Sequence, residues 1–181
     1  MKVVLDVGHM GKVSRPRDRG AVYKTTKESN IALLYAISAM GYLEKAGHIV
    51  FLVCHDDYSA RQEFCRKAKV DLHIQCHLNA GKGSYSLIRY KENGAEVLGQ
   101  MLAINLQDKL RKQITNAKVE KATKRVRGFN SIMKDIPSLL LEPMFLDNDE
   151  HYEFLVYKAG TMELGKIIAD TIIQWDAGGR E

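Results

Sequence analysis

Val70-Asp71-Leu72-His73-Ile74-Gln75-Cys76-His77 decides the fold, because it is a short apolar run that ends at a histidine. Two other segments have the same design: Val3–His9 (VVLDVGH) and Ser138–Glu142 (SLLLE). Short apolar runs bounded by turn residues predict buried strands. In an open α/β sheet, ligands and chemistry collect just beyond the carboxyl ends of the strands. The residues expected there, at one edge of the sheet, are His9, His77 and Glu142.

Segments with strand and helix patterns alternate along the rest of the chain. The predicted strands cover residues 2–7, 48–54, 70–76, 84–90 and 138–141, and the predicted helices cover residues 28–46, 59–68, 94–115, 149–157 and 161–175. Such alternation predicts an α/β fold, with a largely parallel or mixed twisted sheet and helices on both faces. We expect strand 84–90 to lie near a sheet edge. The polar segment 10–24 predicts a long loop, and loops of that length are usually functional.

Length and composition predict a single domain. The chain has 181 residues, which suits one sizeable core, so we expect residues 1–181 to form one domain. No apolar segment approaches the roughly 18 residues of a membrane span. No secretion signal is present, which predicts a cytoplasmic protein, export by another route, or a removed leader. The cysteines (Cys54, Cys65 and Cys76) form no CxxC pair and predict reduced, mostly buried thiols.

The charge balance allows an anionic partner without requiring one. The chain has 27 Lys+Arg against 22 Asp+Glu, a net charge of +5. That excess fits an anionic partner such as nucleic acid or a bacterial wall polymer, and it equally fits a protein that is merely soluble. Aromatic residues do not interleave the basic cluster before Phe129, so it is unlike a groove for single-stranded nucleic acid. The cluster consists of Lys118, Lys121, Lys124, Arg125 and Arg127.

Two histidines of one strand compete for a role at its end. His73 and His77 share a face, but four residues at strand rise place them roughly 13 Å apart, too far for one ion. His77 is nearer the edge, so we expect His73 to be a packed or supporting residue. His9 follows Gly8 in a turn, where a metal ligand and a surface histidine are both compatible with the sequence.

Two glutamates also have open interpretations. Glu28 completes a capping-box pattern with Thr25, which favours a helix cap, and Ser59 and Gln62 form a second such pattern. Glu142 ends an apolar strand, where a carboxylate is costly unless it is paired or binds a metal. No HExxH or zinc-finger spacing occurs, so a metal site would have to be assembled from distant segments.

Taken in order, these segments resemble the family-3 zinc-dependent N-acetylmuramoyl-L-alanine amidases of bacterial cell walls and phage endolysins. Leu5–Gly11 (LDVGHMG) is similar to the family's Asp-Pro-Gly-His-Gly-Gly, and Asp18–Ala21 (DRGA) to the Asp-x-Gly-Ala that follows. Ala68–Ala80 resembles the segment ending in Ser-x-His-x-Asn-Ala, and Pro137–Asn148 the segment with the catalytic Glu. Lys27-Glu28-Ser29 and Arg61 also match, whereas departures fall at Val7, Met10, Gln75 and Met144.

The resemblance implies a zinc ion held by His9, Glu28 and His77, with Glu142 as the catalytic base. It further implies hydrolysis of the amide between the lactyl group of N-acetylmuramic acid and L-Ala of the peptidoglycan stem, as in autolysins and endolysins. Peptidoglycan would be the partner, at the cell wall, with no nucleic acid, no membrane and a monomeric enzyme. An endolysin released from the host cytoplasm needs no leader. The alternatives are a zinc peptidase or amidase for another bond, and a non-catalytic wall-binding module.

Overall fold

A computed structural model describes residues 1–10, 20–55, 57–126 and 128–178. Within that part, a six-stranded sheet is accompanied by a two-stranded ribbon and five helices. The strands are β1 (Lys2–Val7), β2 (Val22–Tyr23), β3 (Thr26–Lys27), β4 (Ile49–Val53), β5 (Leu72–Cys76), β6 (Tyr85–Tyr90), β7 (Asn116–Lys121) and β8 (Ser138–Glu142). The helices are α1 (Glu28–Lys45), α2 (Tyr58–Ala68), α3 (Glu96–Lys109), α4 (Asp149–Tyr157) and α5 (Gly160–Ala177).

The order of the strands brings the predicted segments side by side. The sheet runs β4-β1-β5-β8-β6-β7, and β4, β1, β5 and β8 are mutually parallel. β6 runs antiparallel to β8, and β7 is parallel to β6, so the sheet is mixed as expected. Val7 is opposite Cys76, and Cys76 is opposite Leu141. The three predicted strand ends therefore lie at the same edge.

Alternation along β1 divides the core between the two faces of the sheet. Val3, Leu5 and Val7 pack into the large apolar core with α1, α3 and α5, whereas Val4 faces a smaller cluster with Cys65 of α2. Helices thus cover both faces, as the sequence predicts. Among the helices in the described part of the chain, none is both long enough and apolar enough to cross a membrane.

Several local predictions were wrong. The predicted helix 94–115 ends at Lys109, and the missed strand β7 follows it. Strand β6 lies one strand in from the edge, near the edge as expected. The polar sequence of β7 (NAKVEK) suits an exposed edge strand, where charged side chains discourage further pairing. Loop 10–24 contains β2, which pairs with β3 just beyond the loop. The residues of this loop that lie outside the described part are 11–19, which include Asp18 and Arg19 of the resemblance.

Both predicted capping boxes are absent. The N-cap of α2 is Asp57, whose side chain accepts a hydrogen bond from the Ser59 amide, and Gln62 instead donates to the Asn130 carbonyl. The N-cap of α1 is Lys27, which makes no side-chain capping bond. The carboxylate of Glu28 is consequently available for contacts elsewhere.

Candidate metal centre

His9, Glu28 and His77 come together at the edge of the sheet. One donor atom from each side chain lies within 4.8 Å of the other two. Glu28 Oε1 is 2.9 Å from His77 Nδ1 and 3.7 Å from His9 Nε2, and the two imidazole rings meet edge to face at 5.1 Å. Two imidazoles and one carboxylate are ligands that zinc favours. The residues predicted as ligands are therefore neighbours, and their role as ligands stays a prediction.

Each of the three side chains arrives from a different element. His9 follows β1, His77 follows the adjacent strand β5, and Glu28 is the first residue of α1. The amide of His77 donates to the Leu141 carbonyl of β8, which fixes the backbone where the His77 side chain leaves the sheet. The hydroxyl of Tyr35, in α1, donates to the His77 carbonyl. Strand pairing and helix packing therefore place these donors before any ligand binds.

Glu28 is buried and held by its surroundings, with an exposed fraction of 3%. Its carboxylate accepts hydrogen bonds from the Ala21 amide at 2.7 Å and the Leu78 amide at 3.1 Å. Burial opposes ionisation, but the hydrogen bond and charge of His77, with His9 and the Ala21 amide, outweigh it and lower the pKa of Glu28. The helix-cap interpretation of Glu28 was wrong, because the side chain turns toward the histidines.

Two glycines leave room for the three side chains. A Cβ on Gly8 would collide with the imidazole of His77, and a Cβ on Gly20 would collide with the Glu28 carboxylate and the His9 ring. His9 itself has φ of 57°, in the left-handed region that non-glycine residues rarely adopt. Such strain is tolerated where the surrounding structure fixes the residue, and it is concentrated at functional sites.

Glu142 lies on the same groove as the three candidate ligands. The groove has a volume of about 480 Å³, and His9, Glu28, His77 and Glu142 all line it. Glu142 is the last residue of β8, beside β5, and its side chain is 18% exposed. Arg89 of β6 pairs with it at 3.5 Å. The predicted base is thus both ion-paired and open to the groove, so the two interpretations of Glu142 are compatible.

His73 is packed inside the protein, as predicted. Its Nδ1 lies 2.9 Å from Ser138 Oγ, and its Nε2 lies 3.2 Å from Asp6 Oδ2, with 1% of the residue exposed. Arg61 of α2 completes this buried group through a 2.6 Å contact with Asp6. Arg61 and Asp6 therefore support the sheet from the face opposite the large core.

Other residues singled out in the sequence have structural surroundings. Asn79 lines the groove and its side chain accepts from the Ala80 amide. Cys76 is buried, which raises the pKa of its thiol, and Cys65 is also buried whereas Cys54 is exposed. Of the basic cluster, Lys118 and Lys121 lie on the edge strand β7, and Arg127 is outside the described residues.

Arg89 was not predicted from the sequence. Its signal was a single cation within the otherwise uncharged strand Tyr85–Tyr90 (YSLIRY). Side chains two residues apart share a face of a strand, but which partner they meet depends on the neighbouring strand. The pairing of Arg89 with Glu142 follows from the antiparallel register of β6 against β8.

Comparison with known proteins identifies the family and the fold of the chain. The family model described as N-acetylmuramoyl-L-alanine amidase matches residues 3–174. The fold is similar to amidase AmiC2 of Nostoc punctiforme (TM-score 0.83, 19% identity, covering 98% of this chain and 97% of that one). It is also similar to the catalytic domain of CwlV, an amidase from Bacillus (Paenibacillus) polymyxa (TM-score 0.80, 19% identity, covering 97% of this chain and 98% of that one). A third similar structure is the catalytic domain of the CD27L endolysin, targeting Clostridia difficile (TM-score 0.73, 24% identity, covering 96% of this chain and 97% of that one). No curated protein sequence matched.

Proposed function

Because the chain belongs to the N-acetylmuramoyl-L-alanine amidase family and is an enzyme of that class acting on peptidoglycan, we propose that its hydrolysis is zinc-dependent. The bond cleaved is the amide that joins the lactyl group of N-acetylmuramic acid to L-Ala of the stem peptide. His9, Glu28 and His77 hold the metal, and Glu142 is the catalytic base.

The observation that carries this proposal is the donor set on the groove. The donor atoms of His9, Glu28 and His77 lie within 4.8 Å of one another, and a carboxylate, Glu142, lines the same groove. Catalytic zinc sites typically have three protein ligands and one open position. The chemistry of these residues therefore fits zinc, and the groove gives a substrate access to it.

In the proposed mechanism, the residues of the groove have separate roles. Bound zinc supplies a water of lowered pKa and polarises the amide carbonyl. Glu142 accepts the proton of the attacking water and later returns one to the departing amine of L-Ala. The Ala21 and Leu78 amides hold the Glu28 carboxylate in place by hydrogen bonds, so the ligand set is already ordered. Gly8 and Gly20 leave the space in which the ligands meet.

The direct test is Glu142→Gln, assayed on purified peptidoglycan. We expect muropeptide release to fall by about 10²–10⁴-fold, the usual contribution of a general acid–base group, while bound zinc stays at the wild-type level. Glu63→Gln is the matched control, since Glu63 is 62% exposed and pairs with its helix neighbour Lys67. Wild-type turnover by Glu142→Gln at full zinc content would contradict the assignment of the base.

Mass spectrometry of the products identifies the bond. Cleavage at the lactyl amide gives free amino groups on L-Ala and leaves the glycan intact, whereas a peptidase would cut within the stem. A zinc chelator should abolish product formation, and added zinc should restore it. Products formed at an unchanged rate in chelator would contradict zinc dependence.

The domain organisation is proposed on the same grounds. We infer that residues 1–181 act as one catalytic domain, supported by the single six-stranded sheet and by a family match that extends over residues 3–174. A monomeric state also remains a prediction, for which light scattering of the purified protein is the measurement.

A further inference from the structure

We propose that Arg89 is a positioning residue that holds the carboxylate of Glu142 ionised and turned toward the groove. This inference rests on the proposed function, in which Glu142 is the base. The role is distinct from metal binding, since Arg89 offers no metal-binding atom and belongs to a different strand from each candidate ligand.

The register of the sheet explains why the two side chains meet. In the antiparallel β6–β8 pair, Leu87 is opposite Glu142 and Arg89 is opposite Leu140. Arg89 and Glu142 are therefore diagonal neighbours on one face, a relationship that long side chains can span. Their charged atoms, Arg89 Nη1 and Glu142 Oε2, lie 3.5 Å apart. A shift of β6 by one residue would send Arg89 to the opposite face.

A second carboxylate fixes the other side of the guanidinium. Glu120 of β7 is opposite Arg89 in the β6–β7 pair, and its Oε2 lies 3.4 Å from Arg89 Nε. Glu120 is 45% exposed, whereas Arg89 and Glu142 are each 18% exposed. The guanidinium thus lies between a solvated carboxylate and a sheltered one, and both Arg89 and Glu142 line the groove.

The ion pair with Arg89 offsets the cost of a partly buried carboxylate at the end of β8. Leu139, Leu140 and Leu141 are buried, and Glu142 follows them directly. Partial burial disfavours the charged form of a carboxylate, and a neighbouring cation restores it. A base must be unprotonated to accept the proton of water, so the cation keeps Glu142 competent over a wider range of pH.

Arg89→Gln removes the cation and keeps a polar side chain of similar reach. We expect kcat to fall about 10-fold or more while KM changes less than about 3-fold, as for an interaction made chiefly in the transition state. The acidic limb of the pH profile of kcat/KM should move to higher pH. Arg89→Lys, which restores the charge without the planar fork, should return the limb toward its wild-type position.

Arg66→Gln is the matched control, because Arg66 pairs with Asp135 where both side chains are 50% exposed, and it should change neither kcat nor the limb. His9, Glu28 and His77 line the same groove, so zinc content is measured for every variant and must match the wild type, and urea unfolding curves show that each variant is folded under assay conditions.

A loss confined to KM would instead make Arg89 a contact for a substrate carboxylate, and an unmoved acidic limb would also overturn the proposal. If Arg89→Gln does not fold, Arg89→Lys is the deciding variant. An acidic limb of the pH profile that moves to higher pH in Arg89→Lys, although the positive charge is kept, would contradict the role. Failure of the proposed function is distinguishable, since it would appear as an active Glu142→Gln variant.

Discussion

The imidazole of His77 lies against Gly8, in the space that any side chain at residue 8 would occupy. Gly8 is also tied to the neighbouring strand, because its amide donates to the Cys76 carbonyl at 2.9 Å. The ring therefore cannot remain in place if residue 8 gains a Cβ, unless two hydrogen-bonded strands move apart.

Gly8→Ala should accordingly weaken metal binding. The methyl group displaces His77 from Glu28 and the third ligand position is lost, so we expect zinc affinity to fall by at least about 10-fold, the lower range for a disturbed metal site. Competition with a chromogenic chelator measures this. Gly41→Ala is the control, because Gly41 lies in α1 with open space at its Cβ position, and it should leave zinc affinity unchanged. Equal affinities in both variants would contradict the prediction.

The buried pair of Arg61 and Asp6 should be worth far more than an exposed pair on the same helix. Arg61 and Arg66 both approach a carboxylate to 2.6 Å, but the first pair is at most 2% exposed and the second is 50% exposed. Removing one partner of a buried pair costs about 3–5 kcal/mol, because the other charge is left uncompensated. Urea denaturation should therefore show a loss of that size for Arg61→Gln and less than about 1 kcal/mol for Arg66→Gln. Similar losses would show that burial does not set the difference.

Acidification should destabilise the protein through His151. Its Nδ1 accepts from the Phe145 amide at 2.9 Å and its Nε2 donates to the Gln113 carbonyl at 2.7 Å, so the folded state holds the neutral ring. Burial lowers the pKa of His151. The unfolded chain then binds the proton more readily, and stability is lost as pH falls below about 6.5, the ordinary value for histidine.

Urea unfolding at pH 5 to 8 measures the effect as the difference between wild type and His151→Gln. We expect the wild type to lose up to about 1.4 kcal/mol per pH unit more than the variant in the acidic range. The difference isolates His151, because the two proteins share every other titratable group. Parallel stability curves would contradict a neutral buried His151.

Substitutions at the starts of α1 and α2 should show whether the observed cap, rather than the capping-box pattern of the sequence, stabilises the helix. Asp57 accepts the Ser59 amide at 2.8 Å, and losing such a cap costs about 0.5–2 kcal/mol. Thr25→Ala should cost less than about 0.5 kcal/mol, because α1 has no side-chain cap. Thermal denaturation of Asp57→Ala and Thr25→Ala gives the comparison, and a larger loss for Thr25→Ala would favour the capping box.

Strand ends were predictable because their signal is local. Where an apolar run stops at a histidine or glutamate, the sequence predicts that this residue lies at the end of a strand. His9, His77 and Glu142 do lie on one groove. Glu28 was different, since its local pattern with Thr25 indicated a cap, and only the resemblance indicated a ligand. What its carboxylate contacts depends on Ala21 and Leu78, one of them 50 residues away.

Features that depend on strand order could not be predicted. The partner of Arg89 follows from β6 running against β8, and nothing within Tyr85–Tyr90 indicates that direction. The edge strand β7 was missed because exposure removes the apolar alternation by which strands are recognised. The ion pair of Arg61 with Asp6 joins residues 55 apart in sequence and required the packing of α2 on the sheet.

If His9, Glu28 and His77 hold a metal as proposed, their donor atoms limit how strictly the site selects zinc. Imidazole nitrogens and a carboxylate oxygen also suit cobalt, nickel and copper, and affinity for divalent ions generally rises along the first transition row to copper. Although hydrogen bonds order Glu28 and His77, the three donors do not by themselves reject those ions. Metal identity would therefore be decided by cellular supply, and preparations made in cobalt-rich or nickel-rich medium should contain a different ion in the same place.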